Sequence, residues 1–200
     1  ARREAVVVAP SERKLADAVA FARSRADWIA ERLAAAPQGA GFRPGETVPL
    51  RGRPVRLEQG PGAAAARLSG DAIRAGGDAE GFARRIERFL RAEARRDLEA
   101  ATARHVATLG LKPPKVSIAD PKSRWGSCTP ARGTIRYSWR LVLAPPAILD
   151  YVAAHEVAHL IHGHHGPEFW AVCERLYPDA KGARRWLKAH GASLHAAGRG

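Results

Sequence analysis

Residues 155–166 read HEVAHLIHGHHG, which places five of the chain's eight histidines within twelve positions around one glutamate, Glu156. In an α-helix, residues four apart lie one turn above each other on the same face, so His155 and His159 can direct two imidazole nitrogens at one cation. Glu156 stands beside that face and can reach a metal-bound water without being a ligand, the position a general base must occupy. Val152, Ala153, Val157, Ala158 and Leu160 make the helix apolar and therefore buried. Buried polar groups need partners, and a metal would supply one.

A catalytic zinc takes three protein ligands and keeps one position open. His162 continues the His155 stripe, but one turn too far along, which puts it on the surface or behind the ligands. His164 and His165 follow Gly163, where the helix should stop and the chain can double back. Spacing favours His165, ten positions after His155, the separation used by the metzincin pattern. That pattern wants its glycine one place earlier, and a chain with no methionine cannot form a Met-turn. Glu174, on the next helical stretch, ranks second as third ligand, with Glu168 the other carboxylate in reach. The bland alternative is a chance H-E-x-x-H in an ordinary helix.

Working outward, Pro145-Pro146 opens the helix AILDYVAAHEVAHLIH, and Gly166-Pro167 opens a second, PEFWAVCERLY. A third is expected over 183–190. Upstream, KVSIAD, SRWGSC and TIRYSWRLVLA read as strands, the last two forming a hairpin around TPARG. A long helix is predicted over 78–109, ending at Gly110, with Phe82, Ile86, Phe89, Leu90 and Leu98 on its apolar face. Its many arginines read better as a solvated surface paired with Glu87, Glu93 and Asp97 than as a binding stripe. Residues 37–77, rich in Gly and Pro, should form a small antiparallel sheet. Before them come a short strand, AVVVAP, and one amphipathic helix from Ser11 to Ala36.

The formal net charge of +13 invites a nucleic-acid partner. Composition weakens that reading, because 27 arginines stand against six lysines amid abundant alanine, as spread over solvated helix faces. Two cysteines, Cys128 and Cys173, make no disulfide framework, and no apolar run reaches bilayer length. The opening lacks a signal-peptide core, so a cytoplasmic protein without a membrane partner is expected.

The runs DPKSRWGSC at 120–128, RLVLAPPAILDYVAAHEVAHL at 140–160, and HHGPEFWAVCERLYPD at 164–179 followed by RRWLKAHG together resemble the YgjP-like metallopeptidase domain family. The likeness is strongest from Pro114 to Gly191, and ADWIAERL and GETVPLRGRPVRLE resemble the family's front half. It implies an α+β, zincin-like domain related to the SprT-like and WLM proteases, with an antiparallel sheet packed on the helix of His155 and His159 and on its flanking helices. It also implies that His155, His159 and His165 hold one Zn2+ per chain and that Glu156 is the catalytic base. On this reading residues 1–77 are an accessory α/β segment and 78–200 the metallopeptidase domain. SRWGSC has no ligand spacing, but a strand there could bind an extended peptide by strand addition. Arg124 could hold an anion or form a structural ion pair. Trp125 could line the substrate site or belong to the core. Cys128 is better read as a small buried residue than as a group near the zinc. Tyr151, one turn before His155, could donate to a reaction intermediate or merely pack.

The resulting expectation is a zinc-dependent hydrolase acting on a peptide or protein substrate. Two other readings remain: a phosphoanhydride hydrolase on the same metal, and a DNA-associated protease or adaptor.

Overall fold

The computed structural model describes residues 5–35 and 41–199. Its elements are α1 (Leu15–Ser24), α2 (Ala26–Ala35), β1 (Thr47–Leu50), β2 (Arg53–Gln59), β3 (Arg67–Ser69), β4 (Ala72–Ala75), α3 (Ala79–Leu109), β5 (Lys115–Ala119), β6 (Gly126–Thr129), β7 (Thr134–Ser138), α4 (Pro146–Ala158), α5 (Pro167–Leu176) and α6 (Ala180–Ala196). The fold is α+β, with two small mixed sheets. None of the described helices is long and apolar enough to cross a membrane.

The long predicted helix is α3. Asp78 caps it by accepting from the Gly81 N–H at 2.8 Å, and Gly110 ends it at φ +65°. Phe82, Ile86, Leu90 and Leu98 are fully buried along one face. The arginines on its outer surface pair along the helix, Arg84 with Glu80 at 2.6 Å, Arg91 with Glu87 at 2.7 Å and Arg95 with Glu99 at 3.3 Å. Such exposed pairs contribute a few tenths of a kcal/mol each and leave fewer free cations for a phosphate backbone.

The first sheet runs β1-β2-β4-β3, and β2 pairs with β4 in parallel, so the expected all-antiparallel sheet is wrong. Burial explains the order. Ala72, Ile73 and Ala75 of β4 are buried and take a central position, whereas β3 is exposed throughout and takes the edge. The β1–β2 turn holds Arg51 and Gly52 at positive φ, as a two-residue hairpin requires. Arg51 is kept there by Asp97 at 2.7 Å and Glu93 at 2.8 Å on α3. Its N–H donates to the Val142 carbonyl at 2.7 Å, and that of Gly52 to Leu143 at 3.2 Å. The hairpin tip therefore braces the segment that leads into α4.

In the second sheet, β7 lies between β5, parallel to it, and β6, antiparallel, so the core sheet is mixed and not the antiparallel one expected. The expected hairpin is present, but its second strand is shorter than predicted. β7 ends at Ser138, and Trp139–Leu143 form a 3-10 turn capped by the Ser138 hydroxyl. Residues 138–144 are all buried, so their apolar run carries no alternation from which a strand could be told from a turn. Arg140 is buried within this turn, paired with Asp120 at 2.8 Å and donating to carbonyls of Leu194 and Ala197 near the C-terminus.

The N-terminal helix is also divided, between α1 and α2 at Arg25. The Ser24 hydroxyl donates back to the Phe21 carbonyl at 2.8 Å, a competitor to the helical ladder. Ala36 lies outside the described residues. Residues 5–9 form no strand: Val6 and Val8 are about four-fifths exposed, and no described strand lies alongside them.

Candidate metal centre

α4 is buried on nearly every side, with Ala153, Ala154, Val157 and Ala158 fully enclosed. It ends sooner than its sequence suggests. Ala158 is its last residue, His159 is the cap, and residues 160–162 close in tight turns on Val157 and Ala158. Gly163 does not stop the helix, and His162 does not continue its stripe. Instead the His162 carbonyl turns back and accepts from His159 Nδ1 at 2.9 Å. A carbonyl can only accept, so this contact places the proton on Nδ1 and leaves the Nε2 lone pair free.

After this turn the chain brings His165 over the two helical histidines. Its Nε2 lies 3.1 Å from Nε2 of His155 and 3.2 Å from Nε2 of His159. Among the described residues these three form the one group of this kind able to hold a metal. Tetrahedral ligands at about 2.0–2.1 Å from a zinc ion stand about 3.3–3.4 Å apart, so the donor set fits such an ion closely. Glu174, exposed on α5, is not part of the group, nor is Glu168. The ring of Phe169 forms a floor, its centroid 4.4–4.9 Å from all three imidazoles. Burial, then the neighbouring imidazoles and Arg184, lowers the His155 pKa to about 3. The same causes lower His165. Neutral imidazoles are the form that ligates metal.

Glu156 is 5% exposed, and burial pushes its pKa up to about 7, against an opposing pull from Arg124. Its carboxyl lies against the start of β6. A Cβ on Gly126 would stand 2.5 Å from Glu156 Oε1 and 2.6 Å from its Cγ, so only glycine allows the strand this close.

A family model for the YgjP-like metallopeptidase domain matches residues 1–190. The chain belongs to this family. Among solved structures, the metallopeptidase zymogen abylysin of Pyrococcus abyssi is similar, with 26% identity and a TM-score of 0.43, covering 46% of this chain and 93% of that one. No curated protein matches the chain by sequence.

The other candidate residues of this YgjP-like domain are placed as follows. Tyr151 is buried, and its hydroxyl lies 3.5 Å from His155 Nδ1, on the side of the ring away from the convergent nitrogens. Burial raises its pKa, so it stays a phenol. Trp125 stacks on His195 of α6 at 4.1 Å, while its carbonyl accepts from Ser138 N–H, fastening the entry to β6. Cys128 is half-buried, its thiol pushed up to about 11 by burial and by Glu156. Arg124 is exposed and has no ion pair with a described residue. The sequence reading missed two contributors. One is the His162 carbonyl, since a backbone group has no residue signature. The other is Arg184, which lies over the Trp170 ring at 4.7 Å and depresses the pKa of the histidines.

The close approach at Gly126 makes a measurable prediction. Gly126→Ala should displace the Glu156 carboxyl and lower kcat about a hundredfold, the scale of loss from misplacing a catalytic group by roughly 1 Å. Metal content should stay at the wild-type level. Wild-type kcat in this variant would show that the strand does not position the carboxyl.

Proposed function

We propose that this YgjP-like domain is a zinc-dependent peptidase in which His155, His159 and His165 hold the ion and Glu156 is the general base. The observation that carries the reading is the convergence of three Nε2 atoms beside a buried carboxyl. When bound, zinc would polarise the scissile carbonyl and acidify water. Glu156 accepts the proton of the attacking water and passes it to the leaving amine, a task suited to a carboxyl whose burial has raised its pKa. The His162 carbonyl and the Tyr151 hydroxyl orient their imidazoles. β6, an outer strand of its sheet beside α4, offers its free edge to an extended peptide. Cys128 and Cys173 are free thiols, which suits a cytoplasmic setting.

The test is hydrolysis of unfolded protein and short peptides by purified protein of known metal content. Cleavage should require about one zinc per chain, cease on chelation and return with added zinc. Cleavage by fully metal-free protein would sink the reading.

A further inference from the structure

On the outer face of the second sheet, Ser127 of β6 stands in register beside Arg136 of β7, and Arg136 beside Ser117 of β5. Arg136 is exposed, while its neighbours Ile135 and Tyr137 turn inward to the core. Arg124 comes in from the loop before β6. Together with Asp120, Gly126 and Ser127 these two arginines border a cleft of about 380 Å³. Neither the Arg124 nor the Arg136 side chain hydrogen-bonds or ion-pairs with a described residue, unlike most arginines of α3. The acid on the rim, Asp120, is already engaged. Its Oδ1 accepts from Arg140 at 2.8 Å and Arg199 at 3.2 Å, and its Oδ2 from Arg140 at 3.2 Å. The cleft is therefore left with two unneutralised guanidinium groups.

Gly126 joins this cleft to the reaction centre, because the same residue borders the cleft and lies against Glu156. We infer that Arg124 and Arg136 form an anion subsite that selects peptides carrying a carboxylate near the scissile bond. The inference rests on the peptidase reading and adds the substrate class to it. A peptide lying along the β6 edge turns alternate side chains to the outer face, where an acidic one reaches the two guanidinium groups across Ser127.

The test uses eight-residue quenched peptides in which one glutamate is walked through the positions flanking the cleaved bond. Each is paired with its glutamine counterpart, and each is made with a free and an amidated C-terminus. At one position glutamate should raise kcat/KM about tenfold over glutamine, the scale of one charge-assisted hydrogen bond. That ratio should fall toward one in Arg124→Ala and Arg136→Ala. The same pairs, labelled and titrated against Glu156→Gln by fluorescence anisotropy, should show the same ratio in affinity. A preference that follows the free C-terminus also supports the subsite and assigns it to the terminal carboxylate. Equal kcat/KM and equal affinity for every acid and amide pair overturns the inference, as does a preference unchanged in both arginine variants. Absence of cleavage with the affinity ratio intact counts against the peptidase reading and leaves the subsite standing.

Discussion

Glu156→Gln should lower kcat for peptide hydrolysis by about a thousandfold or more, within the range attributed to a positioned general base. The amide keeps the shape of the side chain against Gly126 but cannot take a proton from water. Zinc content should remain at the wild-type value, since Glu156 lies outside the group of convergent imidazoles. The melting temperature should hold or rise slightly, because the carboxyl is buried and accepts no hydrogen bond from a described residue, so a neutral amide costs no ion pair. Paired measurements of kcat, metal content and melting temperature check all three. Activity within tenfold of wild type would remove Glu156 as the base.

His165→Ala should abolish zinc retention and with it all hydrolysis. It removes the only one of the three imidazoles that comes from outside the α4 region, and two remaining nitrogens make a poor site for an ion that prefers three or more protein ligands. His165 is exposed, so the apo variant should fold normally. His162→Ala should keep both metal and activity, because His162 acts through its backbone carbonyl, which the substitution preserves. Elemental analysis after dialysis separates the two variants. Equal loss from both would mean that the His162 side chain also contributes to the metal site.

These two variants also mark how far the site could be read in advance. A four-residue spacing on an apolar helix is enough to bring His155 and His159 to one face, because helical geometry is local. The ten-residue spacing to His165 was suggestive, and the structure does bring that imidazole within 3.2 Å of the others. The manner of its return was not legible. The helix was expected to run to Gly163, yet it ends at Ala158, and the turn that ends it is what aims the His162 carbonyl at His159. Helix ends depend on what the last carbonyls meet in space, and residue type specifies that weakly here.

The fold divides in the same way. α3 was readable from end to end because its cap, its glycine stop and its 3.6-residue apolar period are all encoded within the segment. The β6–β7 hairpin followed from a turn with Gly133 at its close. By contrast, the parallel pairing of β2 with β4, the 3-10 turn at Trp139–Leu143 and the break at Arg25 were misread. In each the local pattern allowed two outcomes.

The sequence by itself determined the chemistry available: an apolar helix carrying His155, Glu156 and His159, a third histidine within reach, and a glycine in SRWGSC. The tertiary structure alone decided which groups meet. It set Gly126 against the Glu156 carboxyl and the β1–β2 turn against the entry to α4, and it left Arg124 and Arg136 facing one cleft while Asp120 is held by Arg140 and Arg199. The reason is the range of the forces. Periodicity and capping act within a few residues, whereas desolvation of Glu156 and the pairing of Asp120 depend on segments 20 to 79 positions away in the chain, which only packing brings together.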